Sequence, residues 1–385
     1  MMEITEGSHA VSEAVRLCRP QVVSAYPITP QTHIVEDLAD FVANGRLDAE
    51  YLTVDNELSA LSACIGASAT GSRVYSATTS QGLALMFEAC FNAAGMRLPI
   101  VMSIANRAMG APLSIWNDMQ DSISLRDSGW LQFYAEDNQE ATDLHFLAYK
   151  VAEDEKVQLP VFVCFDGFIL SHTYEPIDML SQDQVDQYLP KYNPAEKLDA
   201  QDPISFGMYA TPDYYLEFRY EMDQAQKRAK DVIAQYGKEF GTMFNRDYSA
   251  LVEGYRLDDA ETAIVAMGSI CGTIKDAIDE MRAAGKKVGL LKIRVFRPFP
   301  SDEIARALSK VKRVAVLDKN ISLGARGGAT VLEVRDALYG SAVPVKGYVL
   351  GLGGRDIRKK DIKEIVSLAE QGTGDQFYGL RKELI

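Results

Sequence analysis

The sequence predicts an α/β protein: a parallel sheet flanked by helices in its first part, then a second, smaller α/β unit. Apolar β-type runs alternate with helical periodicity up to about residue 175, the pattern that produces parallel strands with helices on both faces. The alternation lapses over 172–256, where prolines at 176, 190, 194 and 203 mark an irregular connector, and resumes after Leu257-Asp258-Asp259. At 385 residues the chain also exceeds the size of one ordinary core. The expected division is 1–240, connector and helical extension included, and 258–385.

In order, strands are expected at 21–25, 51–54, 73–78, 99–105 and 160–166. Helices are expected at 8–18, 33–43, 57–70, 81–95 and 138–152. Thr32 is placed to cap the second helix, and Asp137-Asn138-Gln139-Glu140 opens the last with a capping-box pattern. The long loop 106–130 carries Asn106, Arg107, Trp116, Asn117, Asp118 and Asp121; loops of that length are commonly functional. Thr211-Pro212 opens a helix with apolar positions from 215 to 236, whose aromatic face (Tyr215, Phe218, Tyr236) reads as a core or subunit-packing stripe. The second unit follows as strand 263–267, a helix ended by Gly285, strand 288–293, helix 301–310, strand 313–317, helix 328–338 and strand 345–350.

The net charge of −14 argues against a nucleic-acid footprint. No run approaches the ~18 apolar residues of a membrane span, and the start lacks a basic signal-peptide region, so a cytoplasmic protein is expected. The five cysteines include no Cys-x-x-Cys and read as buried thiols rather than disulfides or ligands of an iron–sulfur cluster. The four histidines are dispersed, without metal-ligand spacing.

Ala25-Tyr26-Pro27-Ile28-Thr29-Pro30-Gln31-Thr32 is the most informative segment. Its prolines fix φ and restrain the residues before them, so a rigid loop follows a strand at the sheet edge where ligands bind. Glu57 opens a helix with small residues behind it; it either complements the helix dipole or serves a ligand. Arg107, after strand 99–105, either grips a carboxylate bidentately or is a surface arginine with Asp118, Asp121 and Asp127 as pairing options. Gly324-Ala325-Arg326-Gly327-Gly328 is an anion nest or a plain turn. Gly351-Leu352-Gly353-Gly354 does not match a dinucleotide fingerprint. Asp166-Gly167 with Asn193 lacks the leading glycine of a magnesium–diphosphate motif, Phe165 standing there.

Taken together, Tyr26-Pro27-Ile28-Thr29-Pro30, Thr79-Ser80-Gln81-Gly82-Leu83-Ala84-Leu85-Met86, Asn106-Arg107-Ala108, Ile115-Trp116-Asn117-Asp118 and Arg126-Asp127-Ser128-Gly129-Trp130 resemble the α subunits of 2-oxoacid:ferredoxin oxidoreductases, most closely the pyruvate enzymes. The resemblance runs nearly end to end. It implies a thiamine diphosphate pyrimidine-binding domain followed by a transketolase-C-terminal-like domain. It also implies that Glu57 hydrogen-bonds N1′ of the aminopyrimidine, favouring the imino tautomer that takes the C2 proton. Arg107 would hold the substrate carboxylate, Thr29 would line the same pocket, and Pro27 would lie where the loop passes the cofactor. Leu58 stands where the family often has histidine.

Partners are implied as well. A β subunit would supply the diphosphate/Mg2+ half and a proximal 4Fe–4S cluster. Further γ and δ subunits, or a fusion, would carry the coenzyme A-interacting region and ferredoxin-like clusters in a dimer of heteromers. The expected reaction is oxidative decarboxylation of pyruvate to acetyl-CoA and CO2 with ferredoxin as acceptor. The segments 79–82 and 106–109 differ from those usual in 2-oxoglutarate enzymes, and Thr29 is not the second cation an oxalate enzyme needs. A 2-oxoisovalerate enzyme and a non-catalytic scaffold subunit are the alternatives.

Overall fold

The computed structural model describes residues 2–385. Its strands are β1 (Met2–Glu6), β2 (Val22–Ser24), β3 (Glu50–Leu52), β4 (Val74–Thr78), β5 (Val101–Asn106), β6 (Leu131–Tyr134), β7 (Val161–Asp166), β8 (Tyr174–Asp178), β9 (Val252–Tyr255), β10 (Thr262–Ala266), β11 (Val288–Ile293), β12 (Val295–Arg297), β13 (Arg313–Asp318), β14 (Val345–Val349) and β15 (Gln376–Phe377). The larger sheet runs β12-β6-β7-β5-β4-β2-β3 and the smaller β15-β14-β13-β10-β11-β9, while β1 and β8 form a separate antiparallel ribbon. The predicted α/β class with parallel sheets is what the chain adopts.

Every neighbouring pair in the larger sheet is parallel except β12 with β6. All its parallel strands therefore present their C-terminal ends along one edge. The chain steps outward from β2 to β3, then returns to β4 on the other side of β2. That reversal opens the crevice in which ligands of such sheets bind.

Strand β6 begins just past the long loop expected over 106–130, in a stretch for which the sequence predicts no element. Strand β12 departs further: it comes from the second α/β unit yet closes the edge of the first sheet, pairing Val295 with Phe133 and Arg297 with Gln132. Phe296 packs edge-on against Tyr134. One apolar cluster accordingly spans the junction, with Trp130 and Phe162 stacked at 4.2 Å and Leu291, Ile293, Phe296 and Val314 in the same buried group.

Charged side chains cross the same junction. Buried Glu140 receives Arg294 Nε at 2.5 Å and Lys292 Nζ at 2.9 Å, and Lys292 also reaches Glu136. Burial alone would raise the Glu140 carboxyl, but the two cations outweigh it and hold it at about 2. Asp137 caps helix Asn138–Ala152 by accepting from the Glu140 N–H. The capping box is displaced, however: Glu140 accepts from the backbone of Glu136, not of Asp137.

Other local expectations need correction. Thr32 is the first residue of its helix, and Gln31 occupies the cap position without a side-chain cap bond. The helix expected over 81–95 is two, Ser80–Leu85 and Phe87–Gly95, meeting at Met86. The long helix starts at Tyr215 and runs to Phe244. On it Tyr215 and Phe218 are 53% and 48% exposed, so they are not core residues.

All five cysteines are buried and unpaired. No helix among the described residues is long and apolar enough to cross a membrane.

Candidate active site

All five parallel-strand exits from β3 to β7 in the sheet order contribute to one place. The proline loop after β2 is clamped by buried Gln31, whose Nε2 donates to the carbonyls of Tyr26 at 2.7 Å and Ala77 at 3.2 Å. This leaves Pro27 and Thr29 exposed on the loop. Gly167, after β7, abuts the other side: a Cβ there would stand 2.6 Å from both Pro30 Cγ and the Asn106 carbonyl oxygen.

Glu57 sits at the start of helix Glu57–Ala69, with Asn56 as cap accepting from the Ser59 N–H. Its side chain is 8% exposed and has no hydrogen-bond or ion-pair partner among the described residues. It lies over the turn after β4, where a Cβ on Gly82 would come within 2.6 Å of Glu57 Oε1 and 2.5 Å of Thr78 Oγ1. The Thr78 hydroxyl is itself buried without a partner. A buried acid, an orphaned hydroxyl and a glycine that clears the space between them fit one edge of a flat heteroaromatic ring bearing donor and acceptor nitrogens.

Arg107 leaves the end of β5 and is 7% exposed. Its Nη1 donates to the Thr29 carbonyl at 2.9 Å and its Nε to the Ser114 carbonyl at 3.0 Å. Nη2 is left without a partner among the described residues. Burial pushes the guanidinium below its ordinary range, and the nearby Asp121 carboxylate opposes that. None of Asp118, Asp121 or Asp127 pairs with the guanidinium. The structure thus joins Arg107 to Thr29 directly, while Glu57 and Arg107 make no direct contact and flank the same 78–82 turn.

Asp121 is the residue that sequence reasoning misassigned. Fully buried, it accepts from the backbone N–H groups of Arg107 and Ser80, both at 3.0 Å, from Ser122 N–H at 2.8 Å and from Asn106 Nδ2 at 2.7 Å. It holds Ser80 at φ +46°, a left-handed conformation unusual for serine. Burial pushes its carboxyl up to about 6 against those donors. Ser80, Gln81 and Gly82 stood in a recognised segment without a role; only the nonlocal approach of 121 reveals what shapes the turn.

Two glycine segments are also resolved. The N–H groups opening helix Ala329–Ala337 are taken by Asp318 and Asn320 side chains, so 324–328 is a turn rather than a free anion nest. Gly353 and Gly354 donate to the Asp118 carboxylate and the Asn117 carbonyl, pressing the second unit onto the loop beside Trp116. Asp166 is buried against Lys319 Nζ at 3.1 Å and Ser269 N–H at 3.0 Å. This engagement does not suit a magnesium–diphosphate cradle.

Comparison with known proteins places this geometry in a family. Residues 13–238 match the domain described as pyruvate flavodoxin/ferredoxin oxidoreductase, thiamine diP-binding. Residues 260–362 match pyruvate:ferredoxin oxidoreductase core domain II. The chain belongs to the pyruvate flavodoxin/ferredoxin oxidoreductase family. It is 52% identical to pyruvate synthase subunit PorA of Methanosarcina barkeri, over all of this chain and 98% of that protein. The corresponding subunit of Methanothermobacter thermautotrophicus is 53% identical over all of this chain and 99% of that protein. Ketoisovalerate oxidoreductase subunit VorA of Pyrococcus horikoshii is 50% identical over 99% of this chain and 98% of that protein. Among solved structures, 2-oxoglutarate:ferredoxin oxidoreductase from Magnetococcus marinus superposes with TM-score 0.71 at 18% identity, covering 96% of this chain and 65% of that one. This chain therefore spans just under two thirds of that longer polypeptide. A split-gene transketolase superposes with TM-score 0.57 at 12% identity, covering 95% of this chain and 98% of that one. At such identities the two structures speak to fold alone.

Proposed function

We propose that this chain is the α subunit of a pyruvate:ferredoxin oxidoreductase, converting pyruvate, CoA and oxidised ferredoxin to acetyl-CoA, CO2 and reduced ferredoxin. The observation that carries the reading is Glu57: a buried, unpartnered carboxylate beside orphaned Thr78 Oγ1 and Gly82, in a chain about half identical end to end to pyruvate synthase subunits.

Thiamine diphosphate, when bound, supplies the electron sink for decarboxylation of a 2-oxo acid. Glu57 would hold the proton at the pyrimidine's N1′, and Pro27, exposed on the proline loop, would line the cofactor's site. Arg107 offers Nη2 to the substrate carboxylate, and its Nη1 bond fixes Thr29 alongside. Mg2+, the diphosphate and the 4Fe–4S clusters are assigned to partner chains, a reading that the engagement of Asp166 and the burial of every cysteine support. We assign the first two and a proximal cluster to a β subunit. The CoA-interacting region and ferredoxin-like clusters fall to γ and δ subunits or a fusion, the whole being a cytoplasmic dimer of heteromers. Five free buried thiols suit a reducing compartment.

The VorA relative supports 2-oxoisovalerate as the second substrate reading, since one or two methylenes in a pocket change selectivity by only ~1–3 kcal/mol. The deciding experiment is Glu57→Gln in the reconstituted complex, with CO2 release and subunit assembly both measured. Loss of decarboxylation with assembly intact is expected. Normal turnover would leave the chain a scaffold.

A further inference from the structure

The structure corrects the expectation of dispersed histidines: three of the four converge. Glu6 ends β1, His9 lies in the first turns of helix Gly7–Leu17, and His33 is in the first turn of helix Thr32–Ala43. The His9 and His33 rings stack with centroids 5.9 Å apart and planes 8° from parallel. His172 leans on the His33 ring at 4.8 Å, backed by Phe168. One ligand atom from each of Glu6, His9 and His33 lies within 4.8 Å of the other two. Among the described residues no other group of histidine, cysteine or acid side chains converges this way.

The hydrogen bonds set the direction of the nitrogens. Asp37 Oδ2 stands 2.5 Å from His9 Nδ1 and also accepts from Ser12 Oγ at 2.5 Å. A carboxylate there places the proton on Nδ1 and leaves the Nε2 lone pair exposed on the opposite side of the ring. That nitrogen faces Glu6 Oε2 at 3.9 Å, so two acceptors confront each other with no donor between them. A tetrahedral cation bonded to both at ~2.0–2.2 Å holds nitrogen and oxygen about 3.3–3.6 Å apart, so the two atoms close by a few tenths of an ångström as it binds. His33 Nδ1 lies 2.6 Å from the other oxygen, Glu6 Oε1. An imidazole whose second nitrogen is anchored by a carboxylate is the usual setting of a metal-ligating histidine.

We propose that Glu6, His9 and His33 bind one divalent transition-metal cation of borderline softness, such as Zn2+. His9 binds through Nε2, Glu6 through Oε2 and His33 through Nδ1, with water at the remaining position. Two imidazoles and one carboxylate favour Zn2+, Co2+ or Ni2+ over Mg2+ or Ca2+. Binding takes up the Nδ1 lone pair of His33, so the contact of that nitrogen with Glu6 Oε1 gives way to the cation. The metal ties the β1–helix corner to the helix that starts just after Pro30, bracing the exit of the proline loop. The site is independent of the reading given to Glu57 and Arg107.

The test uses the full-length chain, stripped with EDTA and titrated with ZnCl2 and separately with CoCl2. One equivalent per chain, a visible absorption band from bound Co2+ and a rise in Tm with Zn2+ are expected. His9→Ala and Glu6→Gln should each abolish the cobalt band and the Tm rise, while His172→Phe keeps the ring stack and retains both. Should one of the first two variants fail to fold, the other decides. Absence of stoichiometric uptake by the native chain, or uptake unchanged in either folded variant, overturns the proposal.

Discussion

Arg107 Nη1 donates to the backbone carbonyl of Thr29 at 2.9 Å, joining loops that are 78 residues apart in sequence. The bond consumes one edge of the guanidinium and leaves Nη2 as the edge still able to receive an anion. Arg107→Ala should raise the KM for pyruvate and lower kcat/KM by about 10–100-fold, the loss expected for charge-assisted hydrogen bonds of ~1.5–3 kcal/mol. Arg107→Lys should recover little, because a point charge cannot serve Thr29, Ser114 and a substrate together. Steady-state kinetics of the reconstituted complex decide; an unchanged KM in both variants removes Arg107 from the pocket.

Gly82 is where one methyl group should suffice to disable the chain. Its Cβ would meet Glu57 Oε1 and Thr78 Oγ1 well inside van der Waals distance. Gly82→Ala should cost ~1–3 kcal/mol of stability through overpacking and lower kcat by at least ~10-fold, given that acid–base groups contribute ~10²–10⁴. Near-native turnover would show that the 78–82 turn does not set the position of Glu57.

Asp121 brings a pH dependence with a defined sign. Its folded carboxyl is pushed up to about 6, above the ordinary aspartate value. Between that ordinary value and 6 the folded chain holds a proton that the unfolded chain releases. The group therefore costs stability as pH rises through that window and carries the full cost at neutral pH. The protonated acid accepts less well from the Arg107 and Ser80 N–H groups, so the KM for pyruvate should climb as pH falls below about 6. In Asp121→Asn an amide NH2 faces donors on every side; the variant should lose ~1–3 kcal/mol and the pH dependence of KM together. A KM-against-pH series and urea unfolding read both.

Glu140 behaves in the opposite sense. Arg294 and Lys292 hold it at about 2 despite its burial, so its contribution is complete above the ordinary glutamate value and fades as pH falls toward 2. Arg294→Met leaves Glu140 buried with one cation fewer and should destabilise the chain by ~3–5 kcal/mol. Denaturant midpoints at neutral and acid pH should differ less in the variant than in the native protein. An equal pH response would mean the pair does not couple to folding.

The parallel framework was legible because periodicity is local: β2, β4, β5, β7, β10, β11, β13 and β14 all lie on runs the sequence marks as apolar. What escaped depends on partners far along the chain. Val295-Phe296-Arg297 becomes a strand only because Phe133 and Gln132 offer a free edge. The break at Met86 carries no glycine or proline to announce it. Within the site, Glu57, Arg107, Thr29 and Pro27 were visible as residues following strands. Asp121 was read as a partner for a side chain, whereas it serves two backbone amides that no pattern of residue types discloses. His9, His33 and His172 meet for the same reason, through the pairing of β1 with β8 and the approach of two helices.

The borrowed edge strand β12 bears on how this polypeptide can be divided. Its covalent origin is one unit and its hydrogen bonds belong to the other. A gene split near residue 258 would deliver a front piece whose β6 is uncovered and prone to pair with stray strands, and a rear piece with a dangling segment. Nicking that connector in the mature protein should, by contrast, leave the halves gripped together under native conditions. The two units are separable as descriptions but not as molecules.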